Sequence, residues 1–243
     1  MTDEAIKLGG KKKSIFIDKV KELLPDGGNL NLCLTCGACS SGCPATGLVG
    51  MDPRKFLRMA ALGMDEEIRK SDWPWMCTMC QRCISVCPMK IDIPQLGFNA
   101  RTLRPREERP KGILGSSDMA LRNESTSAMG ASPEDFTFVV EDVLEEYREA
   151  QPEFVDMQAP IDKQGAEFFL NQNSREPVTE PDEMVPLCKI LHLAGVDWTY
   201  GSQGWAGENY CMFLAVNEAW EHVTRTTVAK ANELGCKIYL NTE

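Results

Sequence analysis

Eight cysteines fall in two copies of one phrase, Cys33-Leu-Thr-Cys36-Gly-Ala-Cys39-Ser-Ser-Gly-Cys43-Pro44 and Cys77-Thr-Met-Cys80-Gln-Arg-Cys83-Ile-Ser-Val-Cys87-Pro88. Both read C-x2-C-x2-C-x3-C-P. Thiolates are soft ligands, suited to iron–sulfur clusters and to zinc. Three thiolates spaced by two residues let a tight turn wrap three corners of an iron–sulfur cube, and a fourth, four residues on, points away from that cube.

Structural zinc uses C-x2-C pairs but rarely a third cysteine at the same spacing, and here that spacing occurs twice. Disulfides suit secreted chains, and eleven cysteines is an odd count. The phrase resembles the run by which bacterial ferredoxins hold 4Fe–4S clusters, where the fourth cysteine ligates the other cluster. That resemblance implies two 4Fe–4S clusters, one on Cys33, Cys36, Cys39 and Cys87, the other on Cys77, Cys80, Cys83 and Cys43. Pro44 and Pro88 then end the binding turns. Outside the cysteines no nucleophile–base constellation is visible, so no catalytic residue is assigned. His192 and His222 read as packing or surface residues. Trp73, Trp75 and Met76 precede the second run and are expected to wall its cluster from water.

These phrases sit in 243 residues, enough for one large or two small domains. The formal charge of −10 is unevenly spread. Residues 1–100 balance at +2 and residues 101–243 at −12. The acidic second half argues against nucleic acid as a partner. No run approaches the roughly 18 apolar residues of a spanning helix, so no transmembrane segment is expected. Reduced cluster-binding cysteines place the chain in a reducing, anaerobic cytoplasm, or at the cytoplasmic face of a membrane through a partner. Lys11-Lys12-Lys13 reads as part of a solvated arm over residues 1–13.

The elements that must position the thiols are mostly helical. Ile15, Phe16, Val20, Leu23 and Leu24 recur at helical spacing after Ser14, until Pro25-Asp-Gly-Gly28 breaks the helix. Between the cysteine runs, Asp52 and Pro53 predict a helix start, with Phe56, Leu57, Met59, Ala60 and Leu62 as its apolar face and Gly63 as its stop. Asp65 predicts the cap of a second short helix reaching Lys70. Ile91-Asp-Ile-Pro94 predicts a third helix, carrying Leu96, Phe98 and Ala100. This helical connection resembles that of an all-α dicluster domain rather than the strand-and-loop connection of the compact β-type ferredoxins.

The phrase from Leu32 to Pro44, the Asp52-Pro-Arg54 helix start, and Trp75-Met-Cys-Thr-Met-Cys80 look like the small iron–sulfur subunit of heterodisulfide reductases. The same helical domain resembles iron–sulfur subunits of glycerol-3-phosphate dehydrogenase, glycolate oxidase and succinate dehydrogenase. The resemblance covers roughly residues 28–100 and implies electron transfer without identifying a substrate.

Residues 101–161 read as linker plus one acidic helix, which Ser132 caps, Pro133 starts, and Phe136, Val139, Val140, Val143, Leu144 and Tyr147 stripe. From Asp162 the pattern turns α/β. Strands are predicted at Ala166–Leu170, Val196–Tyr200 and Cys236–Leu240, and helices at Met184–Ala194 and from about Asn209 to Leu234. That alternation implies a parallel sheet. The glycine-rich turn Gly201–Glu208 reads as a ligand-facing loop. Three strands make a thin sheet with an open edge, so residues 162–243 are read as a partial domain.

This half resembles the start of the cysteine-rich (CCG) domain of larger heterodisulfide-reductase-like subunits. Cys188, Cys211 and Cys236 depart from that family's spacing, and all three are expected to be buried structural thiols. The fold expected is therefore α+β and multidomain: residues 1–100 an all-α dicluster ferredoxin domain, and residues 162–243 a partial α/β parallel-sheet domain. The function expected is electron relay in an anaerobic heterodisulfide reductase-like complex, with a flavoprotein, a CCG-domain subunit or a membrane cytochrome as partner. Two alternatives stay open. One is the N-terminal part of a catalytic subunit that reduces a disulfide or exchanges electrons with a quinone-linked cytochrome. The other is the cluster subunit of a flavin dehydrogenase.

Overall fold

The helix predicted after Ser14 forms as α1, Ile15–Leu23, in a computed structural model that describes residues 14–207, 211 and 215–242. The arm expected over residues 1–13 lies outside the described residues. Two units divide the chain, Met1–Arg109 and Pro110–Glu243.

In the first unit every described element is helical. Ser14 Oγ accepts the Ile17 N–H at 3.0 Å and caps α1. A 3-10 stretch over Pro25–Leu32 follows, with Asp26, Gly27, Gly28 and Asn29 all left-handed. Glycine adopts that region freely and Asp and Asn tolerate it, which is why this tetrad stops the helix. Around the first cysteine run, α2 spans Ala38–Ser41. The connection between the runs holds α3, Pro53–Ala61, α4, Asp65–Lys70, and α5, Trp73–Met76. The second run carries α6, Arg82–Val86, and α7, Ile93–Arg101, follows it.

Asp52 caps α3 through the Lys55 N–H at 3.0 Å, and Gly63 ends that helix at a φ of 67°. Phe56, Leu57 and Ala60 are buried as expected, whereas Leu62 faces solvent. Asp65 does not cap its own helix. Its carboxylate instead accepts from Ser14 Oγ at 2.6 Å and the Phe16 N–H at 3.2 Å, at the start of α1. The partly positive N–H groups there attract a carboxylate across space as well as along the chain. The core joins these helices through Phe56, stacked on Trp73 at 4.9 Å and meeting Phe16 edge-on at 6.3 Å. Cys39 and Cys87 sit in this same core.

In the second unit, residues expected as linker are folded. Lys111–Arg122 forms α8, with Ser117 and Ala120 fully buried, so tertiary burial overrides the weak propensity of a glycine- and serine-rich stretch. Helix α9, Pro133–Ala150, has the expected start: Ser132 and Asp135 form a reciprocal capping box. Its Phe136 stacks on Trp205 at 4.2 Å and meets Tyr200 edge-on at 5.4 Å. Two further helices follow, α10, Arg175–Thr179, and α11, Met184–Leu193.

The sheet is parallel, with β1, Phe168–Asn173, at its centre. Phe168 N and Gln172 N donate to Asp197 O and Trp205 O, each at 3.0 Å. Strands β2, Trp198–Thr199, and β3, Ala206–Gly207, therefore succeed each other along one edge of β1. On the other edge Glu167 O accepts from Ile238 N at 2.9 Å, beside β4, Ile238–Asn241. Burial of both faces of β1 suits a central parallel strand.

Helix α12, Asn217–Glu233, begins later than the long helix expected, behind Ala215 at a φ of 55°. Most of the expected start, residues 208–210 and 212–214, lies outside the described residues. Among the described residues no helix is long and apolar enough to cross a membrane.

The glycines of the turn expected to face a ligand pack closely against the protein. A Cβ on Gly204 would stand 2.7 Å from Thr227 Cα, and one on Gly201 would stand 2.5 Å from Gln203 O. Ser202 is pinned by Asp162, which accepts its N–H at 2.9 Å and its hydroxyl at 2.6 Å. Gly204 is also left-handed at 69°, as is Gly165 at 72°, but a Cβ on Gly165 would meet nothing within 4 Å. G204A should therefore destabilise the second unit by about 3 kcal/mol, left-handed strain and overpacking together, against about 1 kcal/mol for G165A. Urea denaturation of both variants measures the difference, and equal losses would show that the turn is not packed as described.

Candidate metal centre

The sequence repeat is also a backbone repeat. In the first run Thr35 and Gly37 are left-handed, at 57° and 85°; in the second, Met79 and Gln81 take the same places at 56° and 61°. A non-glycine residue held there costs about 1–2 kcal/mol, and such strain gathers where a loop must present ligands in one geometry. The third cysteine of each run, Cys39 or Cys83, then enters a short helix, α2 or α6.

The fourth cysteines cross over. One cavity, of about 330 Å³ including its mouth, is lined by Cys33, Cys36, Cys39 and Cys87. The other, of about 370 Å³, is lined by Cys43, Cys77, Cys80 and Cys83. Each run thus supplies three sulfurs to its own cavity and one to its neighbour's. Leu57, Met89 and Ile91 help wall the first cavity, and Trp73, Met76 and Pro94 the second. Trp75, expected in that wall, lies instead beneath two guanidinium groups, Arg101 at 5.8 Å and Arg104 at 5.7 Å. In each run the second cysteine, Cys36 or Cys80, is the exposed one.

Several neighbours carry no cysteine-like signature and were not legible as site residues. Arg54 lies over Gly37, where a Cβ would stand 3.4 Å from Nη1, and Arg82 lies over Gly42 at 3.4 Å from Nε. Each also lines one cavity. Ser40 Oγ sits 4.0 Å from Cys39 Sγ and donates to Asp52 Oδ1 at 2.8 Å, tying the first run to the start of α3. The Arg54 and Asp52 positions had a signal in the helix-start phrase, but their reach to Gly37 and Ser40 depends on how α3 packs.

The donor set fits an iron–sulfur cube better than a single ion. Among the described residues no three His, Cys, Asp or Glu side chains converge on one metal-ion position, as tetrahedral zinc with Zn–S near about 2.3 Å requires. Four sulfurs around a roomier, mostly apolar cavity suit a cluster. Trp73 Nε1, buried with no hydrogen-bond partner among the described residues, belongs to a ring lining the second cavity, as expected where a sulfur-rich group supplies the missing acceptor. Burial pushes the Cys39 and Cys77 thiols up, and burial reinforced by Cys77 pushes Cys83 up to about 12. Without iron these thiols hold their protons at neutral pH, so metal loading must release them.

The three cysteines of the second unit line neither of these cavities. Cys188 and Cys211 are buried as expected; Cys236, expected buried, is half-exposed because it precedes an edge strand. His222 is exposed, and His192 lies edge-on to Phe154 at 6.2 Å.

Residues 29–91 match the family profile described as a 4Fe–4S dicluster domain. A protein of Archaeoglobus profundus, named as similar to the C subunit of heterodisulfide reductase, is 32% identical over 104 residues, 41% of this chain and 55% of the relative. The C subunit of the H(2):CoB-CoM heterodisulfide,ferredoxin reductase of Methanothermobacter marburgensis is 35% identical over 78 residues, 32% of this chain and 41% of the relative. The iron-sulfur C subunit of the CoB--CoM heterodisulfide reductase of Methanopyrus kandleri is 33% identical over 79 residues, again 32% and 41%. The chain spans about half or less of the length of these relatives. The chain therefore carries a 4Fe–4S cluster domain like that of the C subunits of heterodisulfide reductases.

Burial raises the Cys188 thiol from its ordinary 9.0 to about 12, so its reactive thiolate is scarce at neutral pH. Its neutral form stabilises the second unit below the unfolded value, and that contribution fades as pH climbs through about 12. Alkylation of the folded, iron-free chain near neutral pH should label the exposed Cys36 and Cys80 and spare Cys188, read by peptide mass mapping. Equal labelling of Cys188 would mean that its surroundings open.

Proposed function

We propose that this chain is an iron–sulfur electron-transfer subunit of a heterodisulfide reductase-like oxidoreductase, holding two 4Fe–4S clusters. Cys33, Cys36, Cys39 and Cys87 would ligate one, and Cys77, Cys80, Cys83 and Cys43 the other. The observation that carries this reading is the exchange of fourth cysteines between the two cavities. When bound, such clusters supply one-electron transfer over a wide range of potentials, set by charge, hydrogen bonds to sulfur and exposure.

The chain's own residues shape that range. Crossed ligation holds the two sites a short distance apart, on one rigid core. Trp73, Met76 and Leu57 keep water from the sulfurs. The exposed Cys36 and Cys80 leave one edge of each site open to a partner, so electrons can enter at one and leave at the other. The partners proposed are other redox subunits: a flavoprotein, a CCG-domain subunit or a membrane cytochrome. A cytoplasmic setting suits thiolates that must stay reduced. The second unit, with an inert Cys188 and a closely packed glycine turn, is read as a scaffold for such partners.

Anaerobic reconstitution should give about eight irons per chain, two cubes of four. C87A tests the crossing, because this cysteine lies in the second run but serves the first cavity. It should lose about half of the iron, and the surviving EPR signal should be the one altered by C80S, not the one altered by C36S. Survival of the signal linked to Cys36, or stoichiometric zinc in place of iron, would overturn the reading.

A further inference from the structure

A buried cation stands beside the second cavity, whereas the cation on the lining of the first is exposed. Arg101, only 3% exposed, donates from Nε to Pro74 O at 2.8 Å and from Nη2 to Cys77 O at 2.6 Å. Arg104, on the same Trp75 ring, bonds to Arg69 O, Ser71 O and the Asp72 carboxylate rather than to a cysteine of the second run. The first cavity has Arg54 on its lining, and Arg82 takes the matching place on the second; both are exposed, so solvent and salt screen them alike. Arg101 differs from all three in being both deeply buried and bonded to the backbone of a cysteine on the second cavity. A buried charge is screened far less than an exposed one.

Resting on the cluster assignment proposed above, we infer that Arg101 makes the Cys43–Cys77–Cys80–Cys83 site the electron-holding member of the pair. One electron added to a four-thiolate cluster adds one negative charge. Arg101 stabilises that charge at the second site and does so much less at the first. The step is an internal one-electron exchange: the first cluster is oxidised, the second is reduced by the same electron, and no proton moves. Electrons delivered at the Cys36 edge therefore settle toward the Cys80 edge. Arg101 acts through the field at Cys77 and is a tuning residue, with no bond to the cluster itself.

The test is an anaerobic redox titration followed by EPR on the full chain, with C36S and C80S used only to mark which signal belongs to which site. In the unmodified chain the signal linked to Cys80 should appear at the higher potential. R101Q should lower that potential by at least the tenfold shift in one-electron equilibrium equal to about 59 mV, and move the other signal less. R101K, which keeps the charge but loses the fork to two carbonyls, should retain most of the gap. The inference is overturned if the Cys36 signal has the higher potential, if R101Q moves both signals equally or neither, or if R101K falls as far as R101Q. Should R101Q fail to hold iron, the order in the unmodified chain and the R101K result decide. Fewer than about eight irons in the unmodified chain would instead sink the cluster reading beneath it.

Discussion

The exchange of Cys43 and Cys87 between two cavities is the constraint on which the first unit depends. Each cysteine run must close its own loop and also reach across to the other. The 33 residues from Pro44 to Met76 therefore have to return the chain to a fixed place. They do so with helices whose apolar faces meet on the Phe56–Trp73 stack. The strain of Thr35, Met79 and Gln81 in left-handed backbone is offset by that packing, since a loop left to itself would relax. Burial also raises several of the thiols, so loading with iron is coupled to release of their protons.

Polar groups fix the places that apolar packing alone would leave loose. Asp65 satisfies the start of α1, Asp52 joins the start of α3 to Ser40, and Asp92 caps α7 through the Gln95 N–H at 3.1 Å. The buried Arg101 and Arg104 close the unit by donating to carbonyls of residues 69–77. Their position explains why the first unit runs to Arg109 rather than ending near residue 100. A buried guanidinium without those acceptors would be costly, and the fold supplies them from the stretch that leads into the second cysteine run.

The second unit is organised differently, around a central parallel strand. β1 collects β2 and β3 on one edge and β4 on the other, and the turn between β2 and β3 is held closed against α12. The beginning of α9 adds Phe136 to the same core, stacked on Trp205. Polar bonds bind the loops to this core, including Ser125 Oγ to Ala131 O at 2.5 Å. Within this core Cys188 is buried, and burial raises its thiol to about 12, so it stays protonated at neutral pH.

The sequence by itself determined the donor chemistry and much of the helix pattern. Cysteine spacing is local, and so are the Ser14, Asp52 and Ser132 caps, the Pro53 and Pro133 starts and the Gly63 stop. The parallel sheet was legible from alternation of strands and helices, although β1 sits two residues later than its apolar run suggested. Tertiary structure decided what local rules cannot reach. Asp65 serves another helix, residues 111–122 fold because their small side chains find a buried face, and Gly201 and Gly204 stand where a side chain would strike the protein. Arg101 looked like one charge in a polar stretch until packing put it beside Cys77. Spacing along the chain sets which atoms can act together within a turn; which charge ends up buried beside which sulfur depends on residues far apart in sequence, and only the folded core brings those together.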